Sequence, residues 1–184
     1  MAQDETAEKP LAPSTLRLIL LRHAKSDWPE GVADEERPLA ERGRKAAALM
    51  GDYLTREALT PELALVSTAR RTRETWALVA ERLPAVPPMR HEADLYAASA
   101  EGILRVLRSV DPGCRSVLVL GHNPGMEDLA LMLASHGDAA ARKRMSEKYP
   151  TGGLAVIDLP VGRWADIKAG GGVLERFVTP RSLT

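Results

Sequence analysis

LRLILLRHAKSDW, residues 16–28, is the stretch on which the fold turns. From Leu16 to Leu21 it is apolar except for Arg17, with a polar segment before it and the Pro- and Gly-bearing RHAKSDWPEG after it. A short continuous apolar run with such borders reads as a strand buried on both faces that feeds an irregular loop. The residues it delivers into that loop are Arg22 and His23.

Working outward, similar runs recur at LALVS (63–67), SVLVL (116–120) and LAVIDL (154–159), and a short fifth strand is expected near 162–168. Between them the apolar residues repeat every three or four positions. Ala47, Met50, Tyr53 and Leu54 predict a helix over 41–56, and Trp76, Val79, Ala80 and Leu83 one within 68–83. Ile103, Leu104 and Leu107 predict a third over 101–110, and MEDLALMLA (126–134) an apolar fourth. PAVPPMRHEADLY (84–96) is too rich in proline for a long helix. Strands alternating with helices predict an α/β fold, a three-layer α/β/α sandwich with a mostly parallel central sheet. One domain is expected over 16–184, after a flexible leader, residues 1–15.

With 184 residues, 45% hydrophobic and 27% charged, the chain has the make-up of an ordinary globular domain. Its 25 basic and 25 acidic side chains cancel, which removes any global attraction to nucleic acid or membrane. RKRMSEK (142–148) reads as a solvated surface. No signal peptide or membrane span is recognisable, so a cytoplasmic protein is expected. Cys114 is the single cysteine, read as a buried spectator, and neither His91 nor His136 stands at a metal-ligand spacing. No metal or other cofactor is expected. Trp28, Trp76 and Trp164 are expected in the core or cleft wall.

In an open α/β sheet, ligands bind beyond the carboxyl ends of the strands. Three strand ends here carry cationic or imidazole groups: Arg22 and His23 after the first, Arg70 and Arg71 just after the second, His122 after the third. Guanidiniums and imidazoles around one cavity are costly without an anion. Phosphate fits best, because arginine's planar fork matches two phosphoryl oxygens. An arginine cannot be a nucleophile, but nearby positive charge keeps a histidine neutral and able to attack phosphorus. His23, at the strand end beside Arg22, is the expected nucleophile. His122, followed by Asn123-Pro124-Gly125 at a predicted helix start, is expected to donate to a phosphoryl oxygen. Lys25, Ser26 and Asn123 are further candidates for substrate contact. A proton donor to the leaving oxygen is sought in Glu92 or Asp94.

At these residues the chain resembles the histidine phosphatase (phosphoglycerate mutase-like) superfamily, and within it the small SixA-type phosphohistidine phosphatases. The resemblance rests on LILLRHAKSDW (18–28), RPLAERG (37–43), STARRTRETW (67–76), LYAAS (95–99), VLGHNPGMEDLA (119–130) and YPTGG (149–153). It implies that His23 is the nucleophile, that Arg22 and Arg71 bind phosphate, and that His122 is the second histidine. Ser67 and Thr75, four positions either side, select Arg71 over Arg70. Glu92 approximates the position of the superfamily's acid/base glutamate, with Asp94 as the alternative. The implied activity is hydrolysis of phosphohistidine in proteins through a phosphohistidine intermediate. The implied partner is a phosphorylated protein, of which a histidine-containing phosphotransfer protein is one form. The rival readings are a phosphatase acting on a small phosphomonoester and a noncatalytic phosphoprotein-binding module. One helix is expected between His122 and YPTGG, leaving no room for a lid and so an open site.

Overall fold

The computed structural model describes residues 14–184, so the expected leader lies outside the described residues except for Ser14 and Thr15. Leu16–Arg22 forms strand β1, and its alternate residues go to opposite faces. Leu16, Leu18 and Leu20 join one core layer, Ile19 and Leu21 the other. Arg17, the one charged residue inside the run, is matched across the sheet by Asp158, with guanidinium–carboxylate contacts of 2.8 and 3.1 Å. A partly buried cation is thereby paired bidentately.

The remaining elements are α1 (Glu41–Arg56), β2 (Leu63–Ser67), α2 (Arg70–Ala80), β3 (Met89–Glu92), α3 (Ala100–Arg108) and β4 (Ser116–Gly121). They are followed by α4 (Gly125–Leu133), β5 (Ala134–Gly137), α5 (Ala139–Glu147), β6 (Leu154–Leu159) and β7 (Gly172–Val178). The strands form one sheet in the order β3-β2-β4-β1-β6-β7-β5. Only β6 runs against the others, pairing antiparallel with both β1 and β7. Helices α1 and α2 cover the face carrying Ile19 and Leu21, through Met50, Leu54, Trp76 and Val79. The other face is covered by α3, α4 and α5, through Leu104, Leu129 and Met145. This is the expected three-layer sandwich with a mostly parallel sheet.

Five details differ from the sequence reading. The proline-rich stretch contains β3, an edge strand. Residues 164–166 are a turn of 3-10 helix, and the strand expected there is β7, further on. Between His122 and YPTGG stand two helices and a short strand, rather than one helix. Trp76 and Trp164 are buried, but Trp28 is 73% exposed, with the Arg37 guanidinium 3.2 Å from its ring centroid. Cys114 is half-buried, and burial pushes its thiol pKa up. No described helix is long and apolar enough to cross a membrane.

Candidate active site

Strands β1, β2 and β4 are parallel neighbours, so Arg22, Ser67 and Gly121 end at the same edge of the sheet. His23 and His122 follow directly, with ring centroids 5.3 Å apart. Both are buried, each about as deeply as Arg71. The tightness of the cluster depends on side chain to backbone ties. Thr75, one turn after Arg71 on α2, donates to the Arg71 carbonyl and accepts from the Ala24 amide at 3.1 Å. The Ser67-to-Thr75 spacing therefore fastens α2 to the loop that follows His23. The YPTGG turn does the same from the other side. Gly152, at φ +74°, gives its amide to the Arg22 and His23 carbonyls at 3.1 and 3.0 Å. The Arg22 amide donates to the Gly153 carbonyl, and the Tyr149 hydroxyl to that of Leu20.

His23 Nδ1 lies 2.8 Å from the Ala24 carbonyl oxygen. A carbonyl only accepts, so Nδ1 carries the proton and Nε2 keeps its lone pair when the ring is neutral. Burial first, and then the neighbouring His122, Arg71 and Arg22, push its pKa down to about 3 from 6.5, against the opposing pull of the Ala24 bond. His122 is pushed down to about 4, by burial and then by Arg71, with Asp34 pulling the other way. Both imidazoles are neutral near pH 7.

His122 Nδ1 faces Arg71 Nη2 at 3.3 Å, and its Nε2 faces the Ser67 hydroxyl at 2.7 Å. A guanidinium has no acceptor, so Nδ1 accepts and the Nε2 proton points to Ser67. In this state His122 offers no free N–H to a phosphoryl oxygen. A donor at Nδ1 requires Arg71 to turn to the phosphate and the Ser67 hydroxyl to reverse and donate to Nε2.

Arg22 gives Nη1 to the Tyr149 carbonyl at 2.9 Å, and Arg71 is held through both Nη groups by Asp34. Among the described residues the buried Nε donors of Arg22 and Arg71 have no acceptor. Two orphaned guanidinium donors beside two neutral imidazoles suit an oxyanion.

The other predicted residues fall in different places. Ser26 is buried and accepts from Arg37 at 2.6 Å; Lys25 is half-buried, its carbonyl taking the Ala40 amide. Asn123 ties α4 to the YPTGG turn, giving Nδ2 to the Tyr149 carbonyl and accepting from the Glu127 amide. Arg70 pairs with Glu74 on the exposed side of α2. Glu92 pairs with Arg90 at 3.2 Å and, with Asp94, lines a separate cleft against α3 that also contains Arg105 and Ser109. The carboxylate that acts on His122 and Arg71 is instead Asp34. It accepts from Arg71 at 3.1 Å, Arg37 at 3.0 Å and the Tyr96 hydroxyl at 2.5 Å. Tyr96 also stands edge-on to His122, with centroids 5.6 Å apart. Sequence reading passed over Asp34, Arg37 and Tyr96 as site residues, although RPLAERG and LYAAS carried two of them. Among the described residues no three His, Cys, Asp or Glu side chains gather as a metal site.

The family model of the histidine phosphatase superfamily (branch 1) matches residues 18–98. An uncharacterised protein of Mycobacterium tuberculosis is 40% identical over 163 residues, covering 88% of this chain and 100% of its own. A structure from Agrobacterium tumefaciens, named as a candidate phosphohistidine phosphatase SixA, is 30% identical, with TM-score 0.74 over 90% of this chain and 98% of that one. The chain belongs to the histidine phosphatase superfamily. A second structure, from Nakamurella multipartitia and likewise named as a candidate SixA, superposes with TM-score 0.80 at 27% identity, over 94% of this chain and 99% of that one. As a superfamily member the chain is a hydrolase.

Proposed function

We propose that this hydrolase removes phosphate from phosphohistidine in proteins, through a phosphorylated His23. The observation that carries the reading is the free Nε2 of a buried, neutral His23 set among His122, Arg71 and Arg22, two of whose guanidinium Nε donors await an acceptor. In the first step the Nε2 lone pair attacks phosphorus in line, and the bond to the leaving group breaks with its electron pair. Arg22 and Arg71 hold the phosphoryl oxygens as charge spreads over them, and His122 donates once its Nδ1 is protonated. Water then attacks the phosphorylated His23, releasing phosphate and restoring the ring.

Substrate choice follows from the carboxylates. Glu92 and Asp94, the candidate proton donors, line a cleft with Arg105 and Ser109 that His23, His122, Arg22 and Arg71 do not line, and Asp34 is held ionised by Tyr96, Arg37 and Arg71. A site with no ready acid favours a leaving group that needs no new proton, and the labile P–N bond of phosphohistidine provides one. The naming of the two similar structures as candidate phosphohistidine phosphatases agrees with this.

Rapid-quench labelling tests the reading, using phosphohistidine protein that carries labelled phosphate. Wild type is expected to acquire an acid-labile, base-stable label and to turn over, and His23→Ala to do neither. Turnover of a small phosphomonoester with none of phosphohistidine protein would transfer the assignment to a metabolite phosphatase. Silence on both would point to a binding module.

A further inference from the structure

Asp34 lies in the loop between the nucleophile and α1, and nothing in the reaction above uses it. Its carboxylate nevertheless has three donors from three parts of the chain: Arg37 on Oδ1, Arg71 and the Tyr96 hydroxyl on Oδ2. Arg37 is itself fixed by the Ser26 hydroxyl and the Asp27 carbonyl. A carboxylate has about four acceptor positions, so about one, on Oδ1, stays open. Side-chain exposure rises from 8% at Arg71 to 47% at Asp34, so the carboxylate lies nearer the surface than the guanidinium it holds. The cluster thus carries a negative charge, held by three donors, on the more exposed side of Arg71.

We propose that Asp34 determines specificity for an N-phosphorylated basic side chain over a phosphate ester, by accepting a hydrogen bond from the protonated ring of the substrate and holding that ring protonated. The proposal rests on the phosphohistidine reading and deepens it. The bookkeeping of the step closes without any proton transfer. The His23 Nε2 lone pair forms the new P–N bond while the substrate's P–N bond breaks, its electron pair staying on the substrate nitrogen. A ring already protonated on its other nitrogen leaves as neutral imidazole. A phosphate ester leaves as an alkoxide or phenolate, whose growing negative charge the fixed Asp34 carboxylate opposes. Arg37, Arg71, Tyr96 and His122 are the groups that face this carboxylate, with Glu35 beside it.

The test compares kcat/KM for a phosphohistidine peptide and for p-nitrophenyl phosphate, whose leaving group needs no proton. Asp34→Asn is expected to lower the peptide-to-ester ratio about tenfold to a hundredfold, the scale of one charge-assisted hydrogen bond. The alkaline limb of the peptide reaction is expected to move to lower pH as the substrate ring loses its counter-charge. Tyr96→Phe, which keeps the carboxylate but removes one anchor, is expected to lower the ratio less. Equal losses on both substrates, with an unmoved pH limb, would reduce Asp34 to a prop for Arg71 and overturn the proposal. Should Asp34→Asn fail to fold, an unchanged ratio in Tyr96→Phe overturns it instead. A wild type that cleaves the ester but never the peptide sinks the phosphohistidine reading itself, and that failure shows before any variant is made.

Discussion

Ser67 and Arg71 reach His122 from its two ring nitrogens, and their different donor inventories decide which nitrogen holds the proton. A serine hydroxyl works in either direction, a guanidinium in only one. In the proposed reaction Ser67 is therefore the group that lets His122 pass from accepting at Nδ1 to donating there once phosphate draws Arg71 away. Ser67→Ala leaves the histidine in place but removes the partner that stabilises the donating tautomer. Loss of one such hydrogen bond, about 1 kcal/mol, predicts a fall in kcat of about fivefold to tenfold with little change in KM. A KM that rises while kcat holds would show that Ser67 serves only ground-state binding. The histidines and arginines were legible in the sequence because each stands at or just after a strand end. Asp34 was not, because its acid is one of several in a polar loop and its role depends on contacts with Arg71 and Tyr96, far along the chain.

Elements are placed as much by backbone contact as by apolar stripes. Gly43, in the first turn of α1, is the clearest case: a Cβ there would lie 2.0 Å from the Lys25 carbonyl oxygen. The helix thus presses directly on the loop that carries Lys25, two residues beyond His23. Gly125 at the start of α4 meets the Ala98 carbonyl in the same way, also at 2.0 Å. Gly43→Ala forces helix and loop apart, an overpacking cost of about 3 kcal/mol. It is expected to lower the urea midpoint and to reduce turnover as the loop moves, both measurable on one preparation. Intact turnover with only lowered stability would mean that the loop yields away from His23. The same distinction explains which elements could be read from sequence. The continuous apolar runs of β1, β2, β4 and β6 announce buried strands. By contrast β3 is a short edge strand, MRHE, with no buried residue, and β5 is ASHG, mostly exposed and held by pairing with β7. Neither carries a periodic signal, because neighbouring strands rather than their own side chains define them.

At the scale of the whole molecule, the site draws on the stability of the fold. Two imidazoles held neutral beside two guanidiniums are stabilised by nothing in the unfolded chain, where each takes a proton near pH 6.5. The sign follows from linkage. As pH falls below 6.5 the unfolded state binds protons that the folded state refuses, so stability declines with acidification until the folded pKa values, about 3 for His23 and about 4 for His122, are reached. For His23 alone, lowering pH from 7 to 5 costs about 2 kcal/mol, at about 1.4 kcal/mol per pH unit below its unfolded pKa. His23→Gln removes that proton linkage. The variant is expected to lose about 2 kcal/mol less than wild type between pH 7 and pH 5 in phosphate-free urea melts, whatever its absolute stability. Parallel pH dependences would mean that His23 is already solvated and protonatable in the folded protein, and the proposed neutral nucleophile would then have no structural basis. A smaller slope in the variant would tie the acid sensitivity of the fold to the feature that arms His23, since the burial that weakens the molecule in acid is what keeps its Nε2 lone pair available near neutrality.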